Sequence, residues 1–140
     1  MEKIGFIGTG VMGSSMIKHL LNAGYPVRVY NRTKSRADAV VSEGAVWCDT
    51  PAAVTAQSDI VITMVGYPKD VEETYFGESG IFSKADDHHI LIDMTTSTPT
   101  LARKIADFGK ESGVRTLDAP VSGGDKGAQN GTLTTMVGGE

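Results

Sequence analysis

Six residues near the amino terminus constrain this chain more than any other feature. Gly8-Thr9-Gly10-Val11-Met12-Gly13 spells G-x-G-x-x-G, closing an apolar run that begins at Lys3 and opening a stretch with helical periodicity. In that stretch Met12, Met16, Ile17 and Leu20 fall on one helical face, and Gly24 stands where a helix would end. The hexapeptide alone is weak evidence; set between a strand and a helix it predicts a phosphate-binding turn. The first glycine permits the tight turn, the second lets a pyrophosphate approach the backbone, and the third lets the helix pack on the strand. Backbone amides and the positive end of the helix dipole then face the anion. The expected cofactor-binding residues here are Gly8, Thr9, Gly10, Val11, Met12 and Gly13.

The rest of the sequence repeats the alternation of short apolar run and helix, the pattern of a parallel sheet with crossover helices. Strands are expected at Lys3–Gly8, Val27–Asn31, Ala45–Cys48, Ile60–Val65, His89–Met94, Val114–Asp118 and Leu133–Val137. Ile60–Val65 is apolar almost throughout, as a central strand covered on both faces must be. Thr33 is expected to cap a helix running to Glu43, and Thr50-Pro51 to open a short helix to Gln57. Lys69–Tyr75 reads as helix and Gly77–Asp87 as loop. Thr98-Pro99 opens a further helix whose buried face is Leu101, Ile105 and Phe108. The fold class expected is α/β: a Rossmann-type, doubly wound, mostly parallel sheet with helices on both faces.

The 140 residues suit one domain, spanning 1–140, and 40% hydrophobic with 21% charged residues is an ordinary globular composition. A net charge of -4 argues against a nucleic-acid binder. No apolar run reaches the roughly 18 residues of a membrane span, and the first strand begins too early for a signal peptide. The one cysteine, Cys48, excludes an internal disulfide framework. A cytoplasmic chain with neither nucleic-acid nor membrane partners is expected. Because the last apolar run is followed only by Gly138-Gly139-Glu140, the chain is expected to be one domain of something longer.

The end of the second strand bears on the choice of nucleotide. NAD sites carry an Asp or Glu there for the ribose hydroxyls; this chain has Asn31-Arg32-Thr33. Arg28, Arg32, Lys34 and Arg36 make the segment basic, with no acid between them. A 2′-phosphate suits a guanidinium fork and a hydroxyl, which Arg32 and Thr33 offer. NADP is therefore expected over NAD. The other strands end in equally unusual residues, and open α/β sheets bind ligands outside their carboxyl ends. Val65-Gly66-Tyr67-Pro68 is placed to pack on the adenine or ribose, and Thr96 to reach the nicotinamide region. Ser122-Gly123-Gly124 offers backbone amides and one hydroxyl to a small carboxylate, the expected substrate group.

No residue stands out as an acid–base catalyst. Lys126 lies in a polar, glycine-rich segment, His88 and His89 fall at the amino end of a strand, and His19 lies on the outer half of the first helix. No pair of ligand-type residues has a metal-site spacing, so no metal is expected.

Two stretches together resemble the β-hydroxyacid dehydrogenase family. They are Ile4–Gly13, and Asp118-Ala119-Pro120-Val121-Ser122-Gly123-Gly124 with Gly127-Ala128, Gly131-Thr132-Leu133 and Met136-Val137-Gly138-Gly139. That family includes 3-hydroxyisobutyrate dehydrogenase and tartronate semialdehyde reductase; the cofactor domain of 6-phosphogluconate dehydrogenase is a more distant relative. The resemblance implies that Gly8–Gly13 hold the pyrophosphate, that Asn31, Arg32 and Thr33 form an NADP-type strand end, that Thr96 sits by the nicotinamide, and that Ser122, Gly123 and Gly124 take the substrate carboxylate. It also implies hydride transfer between NADP and a small 3-hydroxy acid or semialdehyde. The family's catalytic lysine and asparagine belong to a helix after this domain, where a helical domain supports a homodimer or homotetramer. A dinucleotide-binding module without turnover and an imine reductase-like enzyme are the alternative expectations.

Overall fold

The computed structural model describes residues 3–65, 68–94, 99–118, 121–122, 134–135 and 138–139. Six strands form a parallel sheet: β1 (Ile4–Ile7), β2 (Val27–Tyr30), β3 (Val46–Trp47), β4 (Ile60–Thr63), β5 (Ile90–Asp93) and β6 (Arg115–Asp118). A two-residue pair, β7 (Val121–Ser122) with β8 (Thr134–Thr135), lies outside it, and β9 (Gly138–Gly139) joins β6 antiparallel. The spatial order is β3-β2-β1-β4-β5-β6-β9. The chain thus winds outward from β1 to one edge, returns, and winds to the other. That is the doubly wound α/β class expected from the alternation of apolar runs and helices.

Alternation along each strand sorts side chains between two cores. Ile4 and Phe6 of β1, with Val27 and Val29 of β2, pack against Ile17 of α1 (Val11–Asn22) and Val40 of α2 (Asp38–Ser42). Ile7, Val61 and Leu91 point the other way. They meet Val54 of α3 (Pro51–Ala56), Val71 and Tyr75 of α4 (Pro68–Phe76), and Leu101 and Ile105 of α5 (Pro99–Ser112). Gly5 belongs to the second face, where a Cβ would lie 2.5 Å from Val54 Cγ1; its bareness lets α3 approach β1.

Three expectations change in the structure. Thr33 caps no helix: its side chain makes no capping hydrogen bond, and Lys34–Ala37 is a 3₁₀ turn before the short α2. The Asn31 side-chain amide and the Arg36 backbone N–H both donate to the Thr33 carbonyl, and the latter closes the turn at 3₁₀ spacing. The strand expected at Leu133–Val137 is divided. Thr134–Thr135 pairs with Val121–Ser122, and the chain then changes partner so that Gly138–Gly139 pairs with β6. Phe108 is 40% exposed, whereas Leu101 and Ile105 are buried as expected. Its ring packs at the flank of α5 against Phe82 and, edge-on, Phe76. Gly109 approaches β6 instead, where a Cβ would fall 2.6 Å from Thr116. The segment expected as loop, Gly77–Asp87, also contains a 3₁₀ turn at Ile81–Ser83 that buries Ile81.

Candidate cofactor site

The turn from β1 into α1 spends two of its glycines inside the protein and leaves the third facing open space. Gly8 has φ +108°, in the region that favours glycine, and a Cβ there would fall on the Met64 carbonyl. A Cβ on Gly13 would run into the Gly8 carbonyl and sit 3.2 Å from the Phe6 ring, so the bare residue seats α1 on β1. At Gly10 a Cβ would meet nothing within 4 Å. Gly10 is the N-cap of the 12-residue α1, whose first turn carries no acidic residue. The positive end of the helix is therefore not offset by a carboxylate of its own.

Asn31 holds this turn in place. Its Oδ1 accepts from the Thr9 backbone N–H at 3.0 Å, and its Nδ2 donates to the Thr33 carbonyl at 2.9 Å. Ser14 Oγ donates to the Thr9 carbonyl, and the Gly8 N–H donates to the Tyr30 carbonyl. The end of β2 is thus stapled to the glycine turn, with Arg32 held at the junction. Thr9 Oγ1 is buried and finds no hydrogen-bond partner among the described residues.

A cleft of about 380 Å³ lies beside the turn, within the roughly 300–1,000 Å³ of small-molecule sites. Ile7, Gly8 and Val65 line it from the carboxyl ends of β1 and β4, and Tyr30, Asn31 and Arg32 from the end of β2. Thr50 and Pro51 contribute the head of α3; Asp70, Glu73 and Thr74 come from α4, and Gly77–Gly80 from the loop after it. β1 lies between β2 and β4, where the winding reverses, so the cleft stands at the switch point of the sheet.

Of the four basic residues grouped in sequence, only Arg32 lines the cleft. Arg28 Nε donates to Gln57 Oε1, and Lys34 lies over the Trp47 ring. Arg32 Nη2 is 3.0 Å from Asp70 Oδ1 and 3.9 Å from Glu73 Oε2. Thr33 is exposed and is not among the cleft residues. Asp70 and Glu73 escaped sequence reasoning, which took their segment simply as helix. The available signal was two acids one turn apart on the helix that follows the strand beside β1.

Several expected site residues fall outside the described ones: Gly66, Tyr67, Thr96, Gly123 and Gly124, with Lys126. Val11, Pro68 and Ser122 are placed by their backbones only, at the starts of α1 and α4 and in β7. Below the carboxyl ends of β4 and β5, Thr63 Oγ1 donates to the buried Asp93 carboxylate at 3.0 Å and lies 3.0 Å from the Tyr75 hydroxyl. This buried polar cluster pins the two strand ends together.

Asp86, His88 and His89 gather before β5 and bring three ligand-type atoms close to one another. Both ring nitrogens of His89 are already engaged. Nδ1 accepts the Asp86 backbone N–H at 3.0 Å, so Nε2 carries the proton donated to the Thr55 carbonyl at 2.8 Å. Asp86 in turn accepts from the His88 N–H and contacts the His88 ring. The trio locks a turn at the end of the sheet opposite the cleft. Cys48 is buried, and burial raises its thiol pKa, opposed in part by Arg28; this is the behaviour of a small apolar filler.

Residues 3–140 match the family described as the NAD binding domain of 6-phosphogluconate dehydrogenase. An oxidoreductase of Bacillus subtilis (strain 168), YkwC, is 60% identical over 139 residues, covering 99% of this chain and 48% of that protein. Among solved structures, Psf3 in complex with NADP+ and 2-OPP superposes with a TM-score of 0.93 at 30% identity, over 98% of this chain and 49% of that one. The 3-hydroxyisobutyrate dehydrogenase of Mycobacterium tuberculosis with L-serine gives 0.91 at 34% identity, over 100% and 47%. The chain therefore spans about half the length of the proteins it matches.

Proposed function

Since the chain belongs to the family of the 6-phosphogluconate dehydrogenase NAD-binding domain and its β-hydroxyacid dehydrogenase relatives, we propose that it is the cofactor-binding part of an NADP-dependent oxidoreductase acting on small, carboxylate-bearing 3-hydroxy acids or their semialdehydes. The observation that carries this is the glycine turn. Its middle position faces open space at the head of a helix, while its outer positions are filled by the protein itself. A pyrophosphate fits where a side chain would otherwise stand. Arg32, exposed at the cleft beside this turn, suits a 2′-phosphate, and no carboxylate stands at the end of β2 to oppose one.

In this reading the backbone amides at Gly10–Gly13 hold the pyrophosphate, and Asn31 keeps the turn in register with Arg32. Tyr30, Val65 and the head of α3 surround the adenosine. Ser122, Gly123 and Gly124 hold the substrate carboxylate, which fixes the alcohol carbon in reach of the nicotinamide end of the site; positioning of this kind lowers barriers by several kcal/mol (about 7–11 at the upper limit). The bound dinucleotide supplies the hydride acceptor or donor. The support for NADP is the residue set at the end of β2; the support for a small hydroxy acid is the glycine-rich segment after β6 and the L-serine of the M. tuberculosis enzyme.

The test is a dihydronicotinamide fluorescence titration of the protein with NADPH and with NADH, alongside turnover of short 3-hydroxy acids with either oxidised cofactor. NADPH is expected to bind more tightly, and Arg32→Asp to remove about tenfold or more of its affinity, the scale of a charge-assisted pair turned into a repulsion. Equal affinities that Arg32→Asp leaves unchanged would refute the NADP assignment.

A further inference from the structure

We propose that Asp70 is a selectivity residue for the 2′ position of the cofactor ribose, holding Arg32 against a 2′-phosphate and offering its own carboxylate to a 2′-hydroxyl. The proposal rests on the NADP reading of Arg32. It comes from a juxtaposition that crosses the sheet's switch point. Asn31-Arg32-Thr33 ends β2 without an acid, yet Asp70 Oδ1 lies 3.0 Å from Arg32 Nη2 on the lining of the same cleft. The Asp70 side chain is only 20% exposed, against 70% for Arg32, so the carboxylate is the fixed partner and the guanidinium the movable one. Asp70 sits in the first turn of α4, where the helix dipole favours its charge. Glu73, one turn on, adds a second, weaker contact at 3.9 Å.

The charge balance at this mouth is therefore two carboxylates to one guanidinium. A 2′-phosphate must draw Arg32 away from Asp70, or share its donors, with negative charge close by. A 2′-hydroxyl carries no charge and donates well to a carboxylate. Asp70 thus stands in, from the α4 side, for the acid that NAD sites carry at the end of β2. The net preference for NADP is narrower than Arg32 alone would give, and Asp70 sets the margin.

Calorimetric titration of NADPH and NADH tests this on wild type, Asp70→Asn, Asp70→Glu, Arg32→Ala and the Arg32→Ala/Asp70→Asn double variant. Asp70→Asn keeps the shape and removes the charge. It is expected to raise the NADPH-to-NADH affinity ratio about three- to tenfold, the scale of one partly screened ion pair. Asp70→Glu keeps the charge and should stay near the wild-type ratio. The gain must vanish in the Arg32→Ala background, because the two residues act as a coupled pair. An unchanged ratio in Asp70→Asn, with Arg32→Ala still weakening NADPH, overturns the role of Asp70 and leaves the NADP reading standing. If Arg32→Ala leaves both affinities unchanged, the NADP reading fails and this proposal falls with it.

Discussion

At the scale of single residues, three glycines in one hexapeptide do unlike work. Gly8 and Gly13 are required by the fold, because a Cβ on either would strike backbone of the same βα unit. Gly10 meets nothing, and its φ of -68° is open to any residue. The two kinds of position should separate in measurement. Gly13→Ala is expected to destabilise the protein by about 1–3 kcal/mol through overpacking between α1 and β1. Gly10→Ala should cost no more than about 1 kcal/mol, as a poorer N-cap, yet lose cofactor affinity through the lost close approach. Thermal melts paired with NADPH titrations check this. Equal loss of stability in both variants would show that the spare space at Gly10 is not spare. Sequence spacing identified all three glycines, but only the contacts separate those that build the turn from the one that faces out of it.

At the scale of elements, the caps show how far local rules reach. Thr50-Pro51 opens α3 as its residue types require: Thr50 Oγ1 accepts from the Ala53 N–H at 3.0 Å, with Pro51 at the first helical position. Thr50→Ala is expected to cost about 1 kcal/mol, and Thr50→Ser to recover most of it; denaturant midpoints of the two variants check the order. Thr33 has the same side chain and caps nothing, because Asn31 has claimed its carbonyl and the chain tightens into a 3₁₀ turn. The difference lies in a neighbour's hydrogen bond, which a propensity rule does not contain. Phe108 teaches the same lesson on α5: helical spacing marked it as buried, but the rings of Phe76 and Phe82 draw it to the flank.

At the scale of the whole molecule, the sheet order was readable because each strand is a short apolar run and each crossover a helix, and right-handed crossovers leave few arrangements. The pairing of Arg32 with Asp70 was not readable. It arises only when β4 returns to the far side of β1 and brings α4 over the end of β2. The partner exchange between β8 and β9 is likewise a tertiary outcome. Among the described residues, no helix is long and apolar enough to cross a membrane. Acid stability is a further property of the whole. The Asp86 carboxyl is held below its usual pKa chiefly by the His88 backbone N–H, then by the His88 ring. A carboxylate lowered in the folded state stabilises fully above its unfolded value of about 3.9, and that contribution is lost as pH falls through the folded value. Melting temperatures followed downward from neutral pH should therefore decline more steeply below about pH 4 in wild type than in Asp86→Asn; parallel curves would remove the role of this turn.

Trp47 is the sole tryptophan of the sequence. Its indole stacks on Tyr30 with ring centroids 5.7 Å apart and is tethered through Nε1 to Asp49, while Tyr30 lines the cleft. One emitter, clamped at a known wall, gives the molecule an optical gauge of its own. Anything that settles beside Tyr30 changes the surroundings of a single lamp, so occupancy can be followed by light alone, before any reaction is asked for.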